Sequence, residues 1–128
     1  MDKLTTVKTL FAVFATFCFG GWDALITALI VLIVIDYITG VLAAGIEGKL
    51  NSSIGFKGIA KKVLILMVVA LAVQIDNVYP TNGMIRSLVI YFFIANEGLS
   101  ILENAGRAGL PIPEKLTKAI ETLGDKND

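Results

Sequence analysis

Asp36, Glu97 and Glu103 are carboxylates placed inside otherwise apolar stretches, so their solvation has to be settled before any chemistry is assigned to them. An ionised acid near the middle of a bilayer costs roughly 2.5–3.5 kcal/mol on insertion scales, and therefore turns toward protein, water or a counter-ion rather than lipid. Around the two glutamates stand Asn96, Ser100, Asn104 and Arg107. At 100° per residue, Asn96, Glu97, Ser100, Glu103, Asn104 and Arg107 share an arc of about 120°, with Ile94, Gly98, Ile101, Leu102 and Ala105 on the opposite side. Such a stripe can line water in a passage, relay protons between acids, or end a membrane span at the headgroups.

Asp36 belongs to a second patterned face, with Gly40, Ala43, Ala44 and Glu47 on it and Thr39 at its margin. Gly40-x-x-x-Ala44 is a pair of small residues one turn apart, the spacing that lets another helix approach closely in a membrane. Asp36, Thr39, Gly40, Ala43 and Ala44 are therefore expected at a helix-packing or oligomerisation surface. Packing within one chain, with Asp36 hydrogen-bonded to a neighbouring helix, satisfies the same pattern.

Other chemistries find no support. The chain has no His and one Cys, Cys18, so it offers neither a disulfide framework nor a Cys/His metal site within one copy. Glu103-Asn104 beside basic residues has the donor types for Mg²⁺ and a phosphate, yet no glycine-rich phosphate loop accompanies it. No enzyme activity, cofactor or metal is expected. Eleven basic and eleven acidic residues leave a net charge of zero, without the basic excess a nucleic-acid binder needs.

The elements that hold these residues are membrane helices. Of 128 residues, 55% are hydrophobic and 17% charged, a composition outside that of ordinary soluble domains. Four apolar segments, residues 4–22, 24–46, 63–79 and 85–105, each approach the ~20 residues that cross ~30 Å of hydrocarbon. The expected fold is all-α, a single membrane domain over residues 1–128 with four transmembrane helices and a tail from residue 106. Thr5, Thr6, Lys8, Thr9 and Thr16 dilute the first segment, which either crosses or lies along the interface. No small-x-small cleavage pattern follows it, and it is expected to be retained. Trp22, Tyr79 and Tyr91 suit interfacial anchoring, and Gln74 and Asp76 the boundary of the third span.

Gly20-Gly21-Trp22-Asp23 and Tyr79-Pro80-Thr81-Asn82-Gly83 are short connections between antiparallel neighbours. The middle connection, EGKLNSSIGFKGIAKK, is longer and basic, with Ser52 or Ser53 as the cap of the helix after it. Beyond Gly109, Pro113 opens a short amphipathic helix with Leu116, Ile120 and Leu123 on one face and Gly124 as its stop, expected at the membrane surface. With four spans, ten of the eleven basic residues share one side and only Arg86 faces the other, which makes both termini cytoplasmic. If the first segment does not cross, the split is eight against three and the remaining spans keep their orientation.

Three stretches together resemble one family: DYITGVLAA at 36–44, LNSSIGFKGIAKK at 50–62 and IANEGLSILENAGRAGLPIPEKL at 94–116. They are similar to the phage holins, a family that also includes toxin-secretion holins of Gram-positive bacteria. The resemblance implies a protein that accumulates in the host cytoplasmic membrane, associates with copies of itself and with lipid, and opens lesions through which an endolysin or toxin passes. It places Asp36, Thr39 and Gly40 in a D-Y-x-T-G element, Ser52, Gly58 and Lys62 in a loop element, and Asn96, Glu97, Ser100, Glu103 and Asn104 in the last element, without assigning their individual roles. That Asn96, Glu97, Ser100, Glu103, Asn104 and Arg107 are candidates to line a pore follows from the polar stripe they share. From composition alone a small proton-coupled exporter competes with this reading, since short spans and intramembrane acids also suit a proton relay.

Overall fold

Helices begin in this chain where a side-chain oxygen can take up free amides at the first turn. Asp2 accepts from the Thr5 amide at 2.7 Å, Asp23 from Ile26 at 3.1 Å and Asn51 from Ile54 at 2.9 Å. These caps start α1 (Lys3–Phe19), α2 (Ala24–Ile46) and α3 (Ser52–Val78). The computed structural model describes residues 2–125 and adds α4 (Met84–Arg107) and α5 (Glu114–Asp125), so the described residues form an all-α fold of five helices. The cap of α3 is thus Asn51 and not Ser52 or Ser53. α3 takes in the basic stretch Ser52–Lys62 ahead of the apolar segment 63–79, as a cap near Ser52 implied, and this shortens the connection from α2 to Glu47–Asn51.

α4 has no capping side chain of its own, since Gly83 precedes it. Asp76, near the end of α3, reaches across the turn and accepts from the Ile85 amide at 3.0 Å, the Arg86 amide at 2.8 Å and the Thr81 hydroxyl. The expected boundary residue is therefore the cap of the next helix. Gln74 likewise holds α1, donating to the Phe17 carbonyl at 3.2 Å.

Among the described residues three helices are long and apolar enough to cross a membrane: α2, α3 and α4, with 23, 27 and 24 residues. The fourth expected span is not confirmed. α1 has 17 residues, about 25 Å of helix against ~30 Å of hydrocarbon. Apart from the Phe11 ring, which meets Trp22 edge-on with centroids 6.0 Å apart, its end makes the contacts with the rest of the molecule: Ala15 is buried, Cys18 and Phe19 are half-buried, and residues 3–14 are largely exposed.

α4 is the hub, packing broadly on α2 and more narrowly on α3 and α5, while α2 and α3 meet little. The helices form two layers along their length. Toward the Asp23–Arg86 end, Ile26, Leu29, Ile33, Val69 and Ile90 make a dry core, with Phe93 and Ile94 against it. Toward the Lys49 end the interior turns polar.

α5 does not lie apart as a surface helix. It folds back along the Gly98 side of α4, where an added side-chain carbon at Gly98 would stand 3.4 Å from Ile120 and one at Gly124 would stand 3.1 Å from Ala95. Gly124 is inside the last turn and not a stop; its missing side chain is what allows so close an approach. The side of α4 opposite the polar stripe is thereby covered by protein.

Candidate functional site

Asp36 lies ten residues before the end of α2, Lys62 ten residues after the start of α3 and Glu97 ten residues before the end of α4. The three helices run antiparallel in sequence, so this equal spacing puts all three side chains at one level, about 15 Å from the Lys49 end. Lys62 donates there to both acids, to Asp36 through a short contact and to Glu97 at 2.6 Å. Asp36 and Glu97 are buried, and the lysine only slightly exposed. Two carboxylates then share one ammonium inside the bundle, a pairing that keeps either acid from facing apolar surroundings alone.

The network continues toward the Lys49 end. The Asn104 amide nitrogen donates to the Asp36 carboxylate at 2.9 Å and lies 3.0 Å from the Thr39 hydroxyl oxygen. Its carbonyl oxygen accepts from Arg107 at 3.3 Å, and Arg107 holds Glu47 through two contacts of 3.1 and 2.6 Å. A ladder of polar side chains therefore joins a buried layer to the exposed end of the bundle. At that end the Arg107 guanidinium lowers the Glu47 carboxyl below the usual glutamate range. No buried side-chain nitrogen or oxygen among the described residues lacks a partner.

The structure splits the six-residue stripe. Glu97 and Asn104 turn inward and are buried, Ser100 is half-buried beside them, and Asn96, Glu103 and Arg107 are exposed. On α2, Asp36, Ala43 and Ala44 are buried, while Thr39 and Gly40 are half-buried. This face is occupied within the chain by α4: an added carbon at Gly40 would meet the Asn104 amide at 3.6 Å, an ordinary contact. The residue that unites the two faces, Lys62, was expected in a basic connection. The sequence signal for it was the unmet demand of two intramembrane acids for a cation, with Lys62 standing at the threshold of the third apolar segment.

Between α2 and α3 the helices diverge and leave a cleft of about 770 Å³. Small residues on both walls make the space, Gly40 and Ala44 on α2 and Gly55 and Gly58 on α3, and the Tyr37 ring bridges it against Gly58. Asp36, Lys62, Glu97 and Asn104 are at its polar side. Among the described residues no group of three or more His, Cys, Asp or Glu stands together as metal ligands.

A second polar device closes the opposite end. Arg86 makes a two-pronged pair with Asp23, at 2.8 and 2.9 Å, and donates its Nε to the Phe19 carbonyl. Gly20 adopts a left-handed φ of 75°, and an added side-chain carbon there would press to 3.1 Å from the arginine. The guanidinium lowers the Asp23 carboxyl to about 2.

Comparison with known proteins adds to this geometry. The sequence profile of the bacteriophage holin family matches residues 13–125. A protein of Listeria monocytogenes is 50% identical over 104 residues, 81% of this chain and 74% of its own. One of Clostridium perfringens is 46% identical over 114 residues, 88% of this chain and 84% of its own. A protein of Bacillus phage phi105 named "Probable holin" is 38% identical over 100 residues, 78% of this chain and 74% of its own. No solved structure matches the chain.

Proposed function

Because the chain belongs to the bacteriophage holin family, we propose that it is itself a holin, gathering in the bacterial cytoplasmic membrane and assembling with copies of itself into lesions that let an endolysin or a toxin out. Alongside the family, the observation that carries this reading is a polar ladder enclosed by helices whose outer faces are apolar. Asp36, Lys62, Glu97 and Asn104 are turned inward, whereas Leu42, Ile46, Phe56, Ile59 and Leu71 are all more than half exposed. A chain so built rests in lipid as a monomer with its charges paired, and offers wide apolar faces to further copies. Rearranging α3 against α2 and α4 then brings the ladder to water in an assembly.

In this reading the Lys49 end is cytoplasmic, since Lys49, Lys57, Lys61, Lys62, Arg107, Lys115 and Lys118 collect toward it whichever side α1 occupies. The residues act by position, without a catalytic step or a bound cofactor.

Expression in a bacterium that also makes a cytosolic cell-wall hydrolase is the test. The expected result is sudden release of the hydrolase and of other proteins of its size. Efflux of small solutes alone, with the protein barrier intact, would instead favour the proton-coupled exporter that the buried acids also suit.

A further inference from the structure

Lys57, Lys61, Leu64 and Val68 follow one another at spacings of four, three and four residues, and therefore form one stripe along α3. All four line the cleft between α2 and α3. Measured from the Lys49 end, the two lysines stand about 7 and 13 Å along the helix, and the two apolar residues about 18 and 24 Å. The stripe thus passes from cationic to apolar in the order in which a phospholipid passes from phosphate to acyl chain.

Three further features fit the same occupant. Lys57 and Lys61 are exposed, and no ion pair among the described residues uses either. Lys49 joins them at the rim. The facing wall carries Gly40 and Ala44, whose small side chains leave width for a chain, and the volume of about 770 Å³ lies in the range of sites that enclose small molecules. Five basic side chains against two carboxylates line the whole cleft, so an anion is favoured over a zwitterion or cation.

We propose that this cleft is a binding site for one anionic phospholipid of the inner leaflet, with its phosphate between Lys57, Lys61 and Lys49 and an acyl chain along Leu64 and Val68. Bound there, the lipid fills the gap between α2 and α3, which meet little, and holds α3 in the monomeric packing. The site requires that the chain sit in a membrane with its Lys49 end inward, and it does not require that the chain form lesions.

The test uses the full-length protein in vesicles, with Leu64→Trp introduced in a Trp22→Phe background as a reporter inside the cleft. Quenching by brominated phosphatidylglycerol is compared with quenching by brominated phosphatidylcholine at the same mole fraction. Two lysines near a phosphate support a local enrichment of roughly thirtyfold for the anionic lipid. Lys57→Gln with Lys61→Gln should abolish the preference, while Lys115→Gln with Lys118→Gln, which removes the same charge from α5, should leave it. Circular dichroism establishes that every variant keeps its helices, and a variant that does not is replaced by Lys61→Gln alone. Equal quenching by the two lipids, or equal loss in both lysine pairs, overturns the site. If soluble glycerol phosphate displaces the lipid preference at millimolar concentration, the cleft binds phosphate rather than a lipid, and the proposal fails.

Discussion

Lys62 Nζ stands 2.6 Å from Glu97 Oε2 while also bonded to Asp36, so a single ammonium is shared by two buried acids contributed by two other helices. The arrangement is unequal by construction. Removing the lysine leaves two unmatched carboxylates, whereas neutralising Glu97 leaves one matched pair.

Lys62→Gln should therefore destabilise the protein by about 3 kcal/mol or more, the usual cost of stranding buried charge, and Glu97→Gln by clearly less. The double variant Lys62→Gln with Glu97→Gln should fall between them. Unfolding curves in detergent at neutral pH measure the order. Equal losses for the two single variants would mean that the layer is wet enough to solvate its acids independently.

The Asp23–Arg86 clamp makes an acid-sensitive contribution. With the aspartate lowered from 3.8 to about 2 in the folded state, that contribution is complete above the unfolded value and disappears as pH falls through the folded one. Thermal stability followed between pH 5 and about 2 should therefore decline. Asp23→Asn should start lower at neutral pH and show a shallower decline. Parallel curves for the two proteins would assign the acid sensitivity elsewhere.

Docking of α5 predicts a disulfide. With Cys18→Ser as background, Gly98→Cys and Ile120→Cys should crosslink efficiently in membranes under mild oxidation, because Ile120 already lies 3.4 Å from where the new carbon would be. Gly124→Leu should suppress the crosslink by forcing bulk against Ala95. A tail helix lying on the membrane surface would give no crosslink in either protein.

Three helices long and apolar enough to span predict a labelling pattern. Single thiols at Lys3 and Asn82 should react with an impermeant reagent added to intact cells, and a thiol at Asn51 should not. Protection at Lys3 with labelling at Asn82 would show that α1 crosses after all, despite its 17 residues. Labelling at Asn51 would reverse the whole orientation.

Composition and periodicity by themselves determined that this chain is helical and lives in a membrane, because hydrocarbon demands about twenty apolar residues per span and internal backbone pairing. They also placed Asp36, Glu97 and Asn104 on faces that had to avoid lipid. Periodicity, however, says on which side of its own helix a residue lies and not what stands opposite. The meeting of Lys62 with Asp36 and Glu97 depends on three helix ends being level, which the loop lengths and the Ile26–Val69–Ile90 core decide. Asp76 reads as a boundary residue until the turn folds the start of α4 back within its reach. Gly124 reads as a helix stop until Ala95 is found against it. In each case local sequence supplied a group with an unmet need, and only the packing of distant segments supplied the partner, since contacts between helices are set by register and shape rather than by any pattern within one of them.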